Sequence, residues 1–124
     1  MTVIPERGDL IVLSFNPQAG HEQSGIRNAI VLSPKIFNEK TGFVAVCPII
    51  SHKKGYPFEV DLPTEGILPD NDGYPIKGVI LTDQIKTLDW NARNLKILKK
   101  YNPDDEQINA IIDECLAKIA TYLT

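Results

Sequence analysis

The run Val44-Ala45-Val46-Cys47-Pro48-Ile49-Ile50 is apolar at every position and rich in valine and isoleucine. A strand with one face in water alternates polar and apolar side chains, so an unbroken run predicts a strand that is buried on both faces. Runs of the same kind, bounded by Gly, Pro, Asn or Asp, occur at Leu10–Leu13, Ala29–Leu32 and Val79–Leu81, with weaker candidates at Phe58–Leu62 and Leu95–Leu98. Together they predict a β-sheet whose outer side is covered by another part of the molecule.

A long helix is predicted at the C-terminal end of the chain. Asn102 is expected to cap it, Pro103 suits its first position, and the acidic residues 104–106 favour the positive end of its dipole. Apolar residues then recur at three- and four-residue spacing, at Ile108, Ile111, Ile112, Cys115, Leu116, Ile119 and Leu123. The helix is therefore expected to pack an apolar stripe either on the sheet or on a partner protein.

The remaining segments are predicted to be connections. A short helical turn is expected at Pro34–Phe37, followed by a turn at Asn38–Gly42, and Pro63–Lys77 is expected to form a long surface loop. Many short strands with one terminal helix favour the mainly β class with minor α content, as a small, strongly bent sheet or partly closed barrel. A length of 124 residues is typical of one domain, so residues 1–124 are interpreted as a single domain.

Composition and charge limit the classes of protein to which the chain can belong. No apolar run approaches the ~20 residues of a membrane span, so no membrane association is expected. Cys47 and Cys115 both fall in apolar patterns, which indicates reduced core residues of a cytoplasmic protein. The net charge of −3 argues against a nucleic-acid binder, but residues 102–124 carry −4 and residues 1–101 carry +1. A basic site in the first hundred residues is therefore compatible with the charge.

The loop Gly20-His21-Glu22-Gln23-Ser24-Gly25-Ile26-Arg27 joins two predicted strands and combines an imidazole, a carboxylate and a guanidinium. Cleavage of a phosphodiester by side chains alone needs a base, an acid and a cation that balances charge on the phosphoryl oxygens. Glu22 or His21 can act as the base, and protonated His21 or Arg27 can stabilise the charge or donate a proton. The alternative interpretation is a solvated polar loop without chemistry.

A second cluster of polar residues follows the predicted strand at Val79–Leu81. Asp83 and Gln84 come soon after that strand, and Lys86 and Arg93 supply positive charge. The alternative is an ordinary turn begun by an aspartate, with Trp90 nearby as a core or interface anchor rather than a platform for stacking bases.

The segment Ser51-His52-Lys53-Lys54-Gly55-Tyr56 places two lysines beside an aromatic residue, which suits a phosphate backbone, although a solvated hairpin tip is equally typical of it. The two histidines and two isolated cysteines match no metal-ligand spacing. The chain also has no glycine-rich phosphate loop and no nucleophile elbow. We therefore expect no metal and no cofactor, and any reaction would use side chains alone.

Several motifs in colinear order give the chain a specific resemblance. They are Arg7-Gly8-Asp9-Leu10, Gly20-His21-Glu22-Gln23-x-Gly25-x-Arg27, Ala29-Ile30-Val31-Leu32-Ser33-Pro34, Phe37-Asn38-x-x-Thr41-Gly42, Pro48, Lys54-Gly55-Tyr56-Pro57-Phe58-Glu59-Val60, Asp83-Gln84-Ile85-Lys86 and Trp90-x-Ala92-Arg93. On these motifs, which extend over essentially the whole chain, the sequence resembles the MazF/PemK (Kid) family of toxin endoribonucleases.

The resemblance implies an SH3-like barrel of the type shared with the gyrase-poisoning toxin CcdB, and a homodimer. It also implies metal-independent, sequence-specific cleavage of single-stranded RNA, with cytoplasmic messenger RNA as the target. In that chemistry the ribose 2′-hydroxyl attacks the adjacent phosphorus, which leaves a 2′,3′-cyclic phosphate and a 5′-hydroxyl end. A cognate acidic antitoxin is expected to occupy the same groove and inhibit the toxin, and DNA binding is expected of the toxin–antitoxin complex.

The resemblance also assigns roles by position. Arg27 matches the family's catalytic arginine and Glu22 its neighbouring acid, while His21 and Asp83 match the histidine and aspartate proposed in the Kid branch. The expected substrate-binding residues are Lys86, Arg93, Gln84, Lys53, Lys54 and Gln23.

Three positions depart from the family pattern. Leu81 stands where the Kid branch has an arginine, Ile50 where the MazF branch has a catalytic threonine, and Asn28 where the family usually has a proline. Ser51 is the candidate for the missing hydroxyl. These departures motivate an alternative, a non-catalytic member of the same fold that acts as a binding module or as a CcdB-like topoisomerase poison. A third interpretation is a structural subunit whose terminal helix docks on another protein.

Overall fold

Seven antiparallel strands and two α-helices are the main elements of the described part of the chain, residues 3–16 and 25–123 of a computed structural model. The elements are β1 (Leu10–Ser14), β2 (Ile26–Val31), α1 (Lys35–Thr41), β3 (Phe43–Ile50), β4 (Glu59–Asp61), β5 (Val79–Leu81), β6 (Lys86–Asp89), β7 (Lys96–Lys99) and α2 (Glu106–Leu123). The strand order is β4-β5-β3-β2-β1-β7, and β6 pairs with β3 beside this path. Within the described ranges the outer strands do not pair with each other, so the sheet is open. The predicted mainly β class with a C-terminal helix is confirmed.

The sheet is covered on one side by α2, on a surface that we call the helix face. Cα pairing aligns Leu10 with Ile30 and Ile30 with Cys47 across three adjacent strands. These side chains pack in one buried cluster with the apolar stripe of α2. The members of this cluster on the sheet include Leu10, Ile30, Leu32, Cys47, Ile49, Val60 and Ile80, and those on α2 are Ile108, Ile111, Ile112, Cys115 and Ile119. The predicted stripe therefore packs on the sheet of its own chain from Ile108 to Ile119, whereas Leu123, which was predicted to belong to it, is exposed near the end of the helix.

The alternate residues of the same strands point to the other side of the sheet, which we call the far face. They form a second buried cluster, whose members are Ile11, Leu13, Phe15, Ala29, Val31, Val44, Val46, Leu88 and Trp90. Two separate clusters on one set of strands explain why the sequence runs are apolar at every position rather than alternating. The prediction that the strands are buried on both faces is confirmed.

The start of α2 differs from the prediction. The helix begins at Glu106, and the Oδ1 atom of Asp105 accepts hydrogen bonds from the backbone N–H groups of Gln107 at 3.0 Å and Ile108 at 3.2 Å. Asn102 instead closes a separate turn, because its carbonyl accepts from the N–H of Asp105 at 3.0 Å. Aspartate and asparagine cap helices about equally well, so the sequence offered two possible starts and the predicted cap at Asn102 was wrong. No helix in the described part of the chain is long and apolar enough to span a membrane.

The segment after β2 is more helical than predicted. Residues 38–41, predicted to be a turn, belong to α1, and Gly42 ends the helix with a left-handed φ of 74°. Asn38 is fully buried in α1, where its side-chain amide donates to the carbonyls of Pro5 at 2.8 Å and Ser33 at 3.1 Å. Asparagine is common in turns, but this side chain instead links α1 to two backbone carbonyls. The sequence alone does not distinguish these two roles.

Both cysteines are free and buried, as predicted. They lie in the same cluster on the helix face, one on β3 and one on α2. Burial, with a smaller contribution from the neighbouring Glu114 carboxylate, raises the pKa of the Cys115 thiol to about 12. Burial, reinforced by Cys115 and Asp83, raises the pKa of the Cys47 thiol further still. The fold therefore requires both thiols in their neutral form.

We expect the free energy of unfolding to fall as the pH rises above about 9, because unfolded thiols ionise there while the folded thiols stay protonated. The expected slope is at most about 1.4 kcal/mol per pH unit for each thiol. Urea unfolding between pH 8 and pH 10 measures it, and the Cys115→Ala variant should show a smaller slope than the parent. Equal slopes in the two proteins would contradict this linkage.

Candidate functional site

Arg27 lies near the start of β2, on the far face of the sheet. Its Cα partner is Leu13 of β1, and it lies two residues before Ala29, which pairs with Pro48 of β3. The side chain is half-buried, whereas the preceding Ile26 is exposed. Because the pleat alternates, Arg27 shares its face with Leu13 and Ala29 and extends that apolar surface with a cation.

The predicted partners of Arg27 in the first loop, His21, Glu22 and Gln23, lie outside the described residues. The chain on either side of that segment is fixed close to Arg27. The N–H of Phe15 donates to the carbonyl of Gly25 at 2.8 Å, and the N–H of Gly25 donates to Oδ1 of Asn16 at 2.9 Å. Asn16 and Gly25, the described residues that flank positions 17–24, are therefore hydrogen-bonded to each other close to Arg27 in the chain.

A second arginine is held at the same end of β1. Nη1 of Arg93 donates to the carbonyl of Ser14 at 3.1 Å and also to the carbonyl of Asn16. Its turn is stabilised by Asp89, whose Oδ1 accepts from the N–H of Ala92 at 2.9 Å. A cleft of about 260 Å³ opens between Arg93, Ile26 and the end of β1. Arg93 thus anchors the chain where the first loop begins, a role that the sequence analysis did not predict.

An apolar cluster lies farther along the far face, at the two positions where the resemblance implied a threonine and an arginine. Ile50 is the Cα partner of Val79, and both pack with Leu81 in a small buried group. Ile50 lies two residues beyond Pro48, so the alternation of the strand puts it on the same face as Arg27. The threonine and arginine positions of the two branches are therefore neighbours in space, and here they are filled by aliphatic side chains.

The segment 51–58 brings the predicted lysines to the surface beside β4. Ser51 and both lysines are exposed, and Nζ of Lys53 pairs with Oδ2 of Asp61 at 3.0 Å. The carboxylate of Glu59 is nearly buried and accepts from the N–H groups of Lys54 at 3.1 Å and Gly55 at 3.0 Å. Glu59 therefore fixes the backbone of this segment. The sequence analysis contains Glu59 only as part of the motif Lys54–Val60, and it assigns no role to this residue.

Asp83 and Gln84 lie on a 3-10 turn directly after β5. Asp83 is exposed and Gln84 is half-buried. The turn is joined to the lysine segment by Thr82, which is fully buried and whose hydroxyl donates to the carbonyl of Phe58 at 2.5 Å. The structure thus brings the Asp83 and lysine clusters together, although they are far apart in sequence.

Lys86 and Trp90 lie on or beside β6. Lys86 is half-buried and is the Cα partner of Val46, so it shares the far face with Arg27 but lies on a different strand. Trp90 is buried, and its Nε1 donates to the carbonyl of Asn38 at 3.0 Å, which supports the core interpretation of this residue. Within residues 3–16 and 25–123, no three His, Cys, Asp or Glu side chains lie close enough together to hold a metal ion.

The described candidate residues form two groups: Arg27 and Lys86 lie on the far face, whereas Ser51, the two lysines, Asp83 and Gln84 lie on the joined segments that follow β3 and β5. Guanidinium groups bind phosphate oxygens through a planar fork, and ammonium groups bind them as point charges. Such a set suits an extended polyanion. It provides charge stabilisation from fixed groups and surface lysines along the approach.

Comparison with known proteins places the chain in a family. Residues 6–120 match the family described as "PemK-like, MazF-like toxin of type II toxin-antitoxin system". The endoribonuclease toxin MazF of Escherichia coli strain K12 is 40% identical over 105 residues, which cover 85% of this chain and 86% of that protein. The endoribonuclease PemK of Escherichia coli is 36% identical over 121 residues, or 96% of this chain and 82% of that protein.

Solved structures that resemble this chain support the same family assignment. A crystal structure of MazF from Deinococcus radiodurans has a TM-score of 0.81 and 38% identity, and the match covers 98% of each chain. A MazE–MazF crystal structure from the same organism has a TM-score of 0.75 and 38% identity over 98% of this chain and 97% of that chain. The fold, the order of the motifs and these relatives lead to one conclusion: the chain belongs to the PemK-like, MazF-like toxins of type II toxin–antitoxin systems.

Proposed function

We propose that the chain is a metal-independent endoribonuclease toxin that cleaves single-stranded RNA at short sequence motifs. The observation that carries the proposal is the position of Arg27. It extends the apolar far face with a guanidinium, two residues from the point where the first loop is closed. The names of the similar proteins, endoribonuclease MazF and endoribonuclease PemK, support the same activity.

The reaction is an intramolecular transfer on phosphorus. Glu22 or His21 takes the proton of the ribose 2′-hydroxyl, and the 2′-oxygen forms a bond to the adjacent phosphorus. The bond from phosphorus to the 5′-oxygen then breaks, and this oxygen takes a proton from Arg27 or from protonated His21. The products are a 2′,3′-cyclic phosphate and a 5′-hydroxyl. The fork of Arg27 binds the phosphoryl oxygens, whose negative charge grows in the transition state.

The other site residues bind the substrate in this proposal. Ser51 binds a phosphate oxygen. Asp83 lies beside the scissile phosphate, where the resemblance to the Kid branch implies a catalytic aspartate. The residues that follow the RNA backbone or its bases are Lys86, Arg93, Lys53, Lys54, Gln84 and Gln23. Exposure of Ser51 and both lysines supports their assignment. Sequence specificity then depends on contacts to unstacked bases, which single-stranded RNA presents readily.

The proposed partners are a cognate acidic antitoxin and a second copy of the chain. The MazE–MazF structures of similar toxins support the antitoxin, and the basic residues around the far face suit an acidic segment. A homodimer is proposed from the family resemblance, and sedimentation of the purified chain tests it. The two free, buried cysteines support a reducing, cytoplasmic setting.

The activity is tested by incubating the purified chain with a long, protein-free RNA in EDTA and mapping the ends of the products. The proposal expects cuts at a recurring short motif with 2′,3′-cyclic phosphate and 5′-hydroxyl ends. Intact RNA at high protein concentration would contradict it and favour the non-catalytic binding module. Ile50 and Leu81 are buried aliphatic residues at the two positions where the resemblance implies catalytic side chains. This observation favours the binding module as a second candidate function.

A further inference from the structure

The last turn of α2 contacts the turn that carries Asp83 and Gln84. The hydroxyl of Tyr122 donates a hydrogen bond to the carbonyl of Thr82. The ring of Tyr122 packs edge-on against Phe58, with ring centroids 5.7 Å apart and planes at 86°. One helical turn earlier, Nζ of Lys118 donates to the carbonyl of Glu59 at 2.8 Å. The end of the helix therefore contacts two separate segments of the site.

Thr82 is the point where these segments meet. It is fully buried, and both its backbone N–H and its hydroxyl donate to the carbonyl of Phe58, at 3.2 Å and 2.5 Å. Glu59, the next residue, holds the backbone of Lys54 and Gly55 through its carboxylate. One continuous set of hydrogen bonds thus runs from Tyr122 through Thr82 and Phe58 to the lysine segment.

We propose that Tyr122 is a positioning residue for RNA cleavage, which fixes the Thr82–Gln84 turn against the segment 51–58. The proposal rests on the proposed function, because Asp83, Gln84, Lys53 and Lys54 are site residues only there. Without the hydroxyl, the carbonyl of Thr82 loses its partner on α2 and the turn is held from one side only. Displacements of about 1 Å at a site can cost as much as a hundredfold in rate.

The hydroxyl of Tyr122 can donate its hydrogen bond over the whole neutral pH range. Burial raises the pKa of Tyr122, and the nearby Cys47 and Asp83 side chains raise it further. The group therefore stays protonated across the neutral range and keeps its hydrogen bond to Thr82. The residue touches neither substrate nor reacting atoms in this proposal and acts through the turn.

The Tyr122→Phe variant removes the hydroxyl and keeps the ring that packs on Phe58. The matched control is Tyr74→Phe, since Tyr74 is 95% exposed. In the full-length protein, amide hydrogen exchange at Thr82, Lys54 and Gly55 should be faster in Tyr122→Phe, while exchange at Ile30 in β2 should match the parent. Unchanged exchange at all three amides would overturn the proposal whether or not the parent cuts RNA.

Kinetics distinguish positioning from general support of the fold. At a temperature where every variant is folded, kcat for RNA cleavage should fall about tenfold in Tyr122→Phe and stay constant in Tyr74→Phe. In an Asp83→Asn background the same change should have little further effect, because both act through one turn. Additive losses or an unchanged kcat would overturn the role of Tyr122. A parent that leaves RNA intact would instead overturn the proposed function.

Discussion

The Arg27→Ala variant is expected to cleave RNA about a thousandfold more slowly than the parent, which is the upper end of the loss when one fixed group that stabilises developing charge is removed. Arg27 lies at the start of β2, where it pairs with Leu13 two residues after Gly25, so the paired backbone fixes the position of its side chain. Rates of cleavage under single-turnover conditions measure the loss, and RNA binding should weaken much less.

Two variants make the result specific. Arg27→Lys keeps the charge and loses the planar fork, so its rate should lie between those of the parent and Arg27→Ala. Lys40→Ala removes one exposed positive charge from α1, near the other end of β2, and should cleave at the parent rate. Urea unfolding of each variant establishes that the fold is intact. If Arg27→Ala cuts RNA in EDTA as fast as the parent, the proposed mechanism is wrong.

The Gly78→Ala variant is expected to lose roughly 2–5 kcal/mol of unfolding free energy, from a strained backbone and a forced overlap together. Gly78 has a φ of 117°, and a Cβ there would lie 1.9 Å from the carbonyl oxygen of Ile50 and 2.9 Å from Cα of Ser51. Both contacts are backbone atoms of β3 and its end, which cannot rotate away as a side chain would. The free energy of unfolding of a small domain is only about 5–15 kcal/mol, so chemical denaturation will detect the loss easily.

Gly42→Ala is the matched control for this effect. Gly42 also has a positive φ, of 74°, but a Cβ there would meet nothing within 4 Å. Its loss should be about 1 kcal/mol, the cost of the left-handed backbone alone. A Gly78→Ala loss no larger than that of Gly42→Ala would contradict the close approach of β5 to the end of β3.

The sequence predicted the buried strands well because their signal is local. Runs such as Val44–Ile50 have no polar residue to place in water, and β3 spans Phe43–Ile50. Strand β6 was missed for the opposite reason: Leu88 is the only apolar residue in Lys86–Asp89, and its pairing with β3 supplies what the local pattern lacks. The cap of α2 was misplaced because two equivalent capping residues lie three positions apart.

The sequence indicates only some residues of the candidate site. The contacts that it does not indicate join residues that are far apart in the chain. Motifs indicated Arg27 and the lysines as candidates because positive side chains suit phosphate, and Asp83 because it follows a buried strand and matches the Kid branch. No pattern in the sequence predicts that Arg93 binds the carbonyl of Ser14, or that Tyr122 reaches Thr82, because each pair is separated by at least 40 residues. Such contacts depend on how α2 and the turns are placed by the whole sheet.

The contact among Ile50, Val79 and Leu81 couples these positions in the stability of the fold. A threonine at position 50 alone would bury a hydroxyl against two aliphatic neighbours, and an arginine at position 81 alone would bury a charge there. Either single substitution is therefore expected to lower the free energy of unfolding. Because the two side chains share one contact, the effects of the two substitutions together should depart from the sum of the single effects.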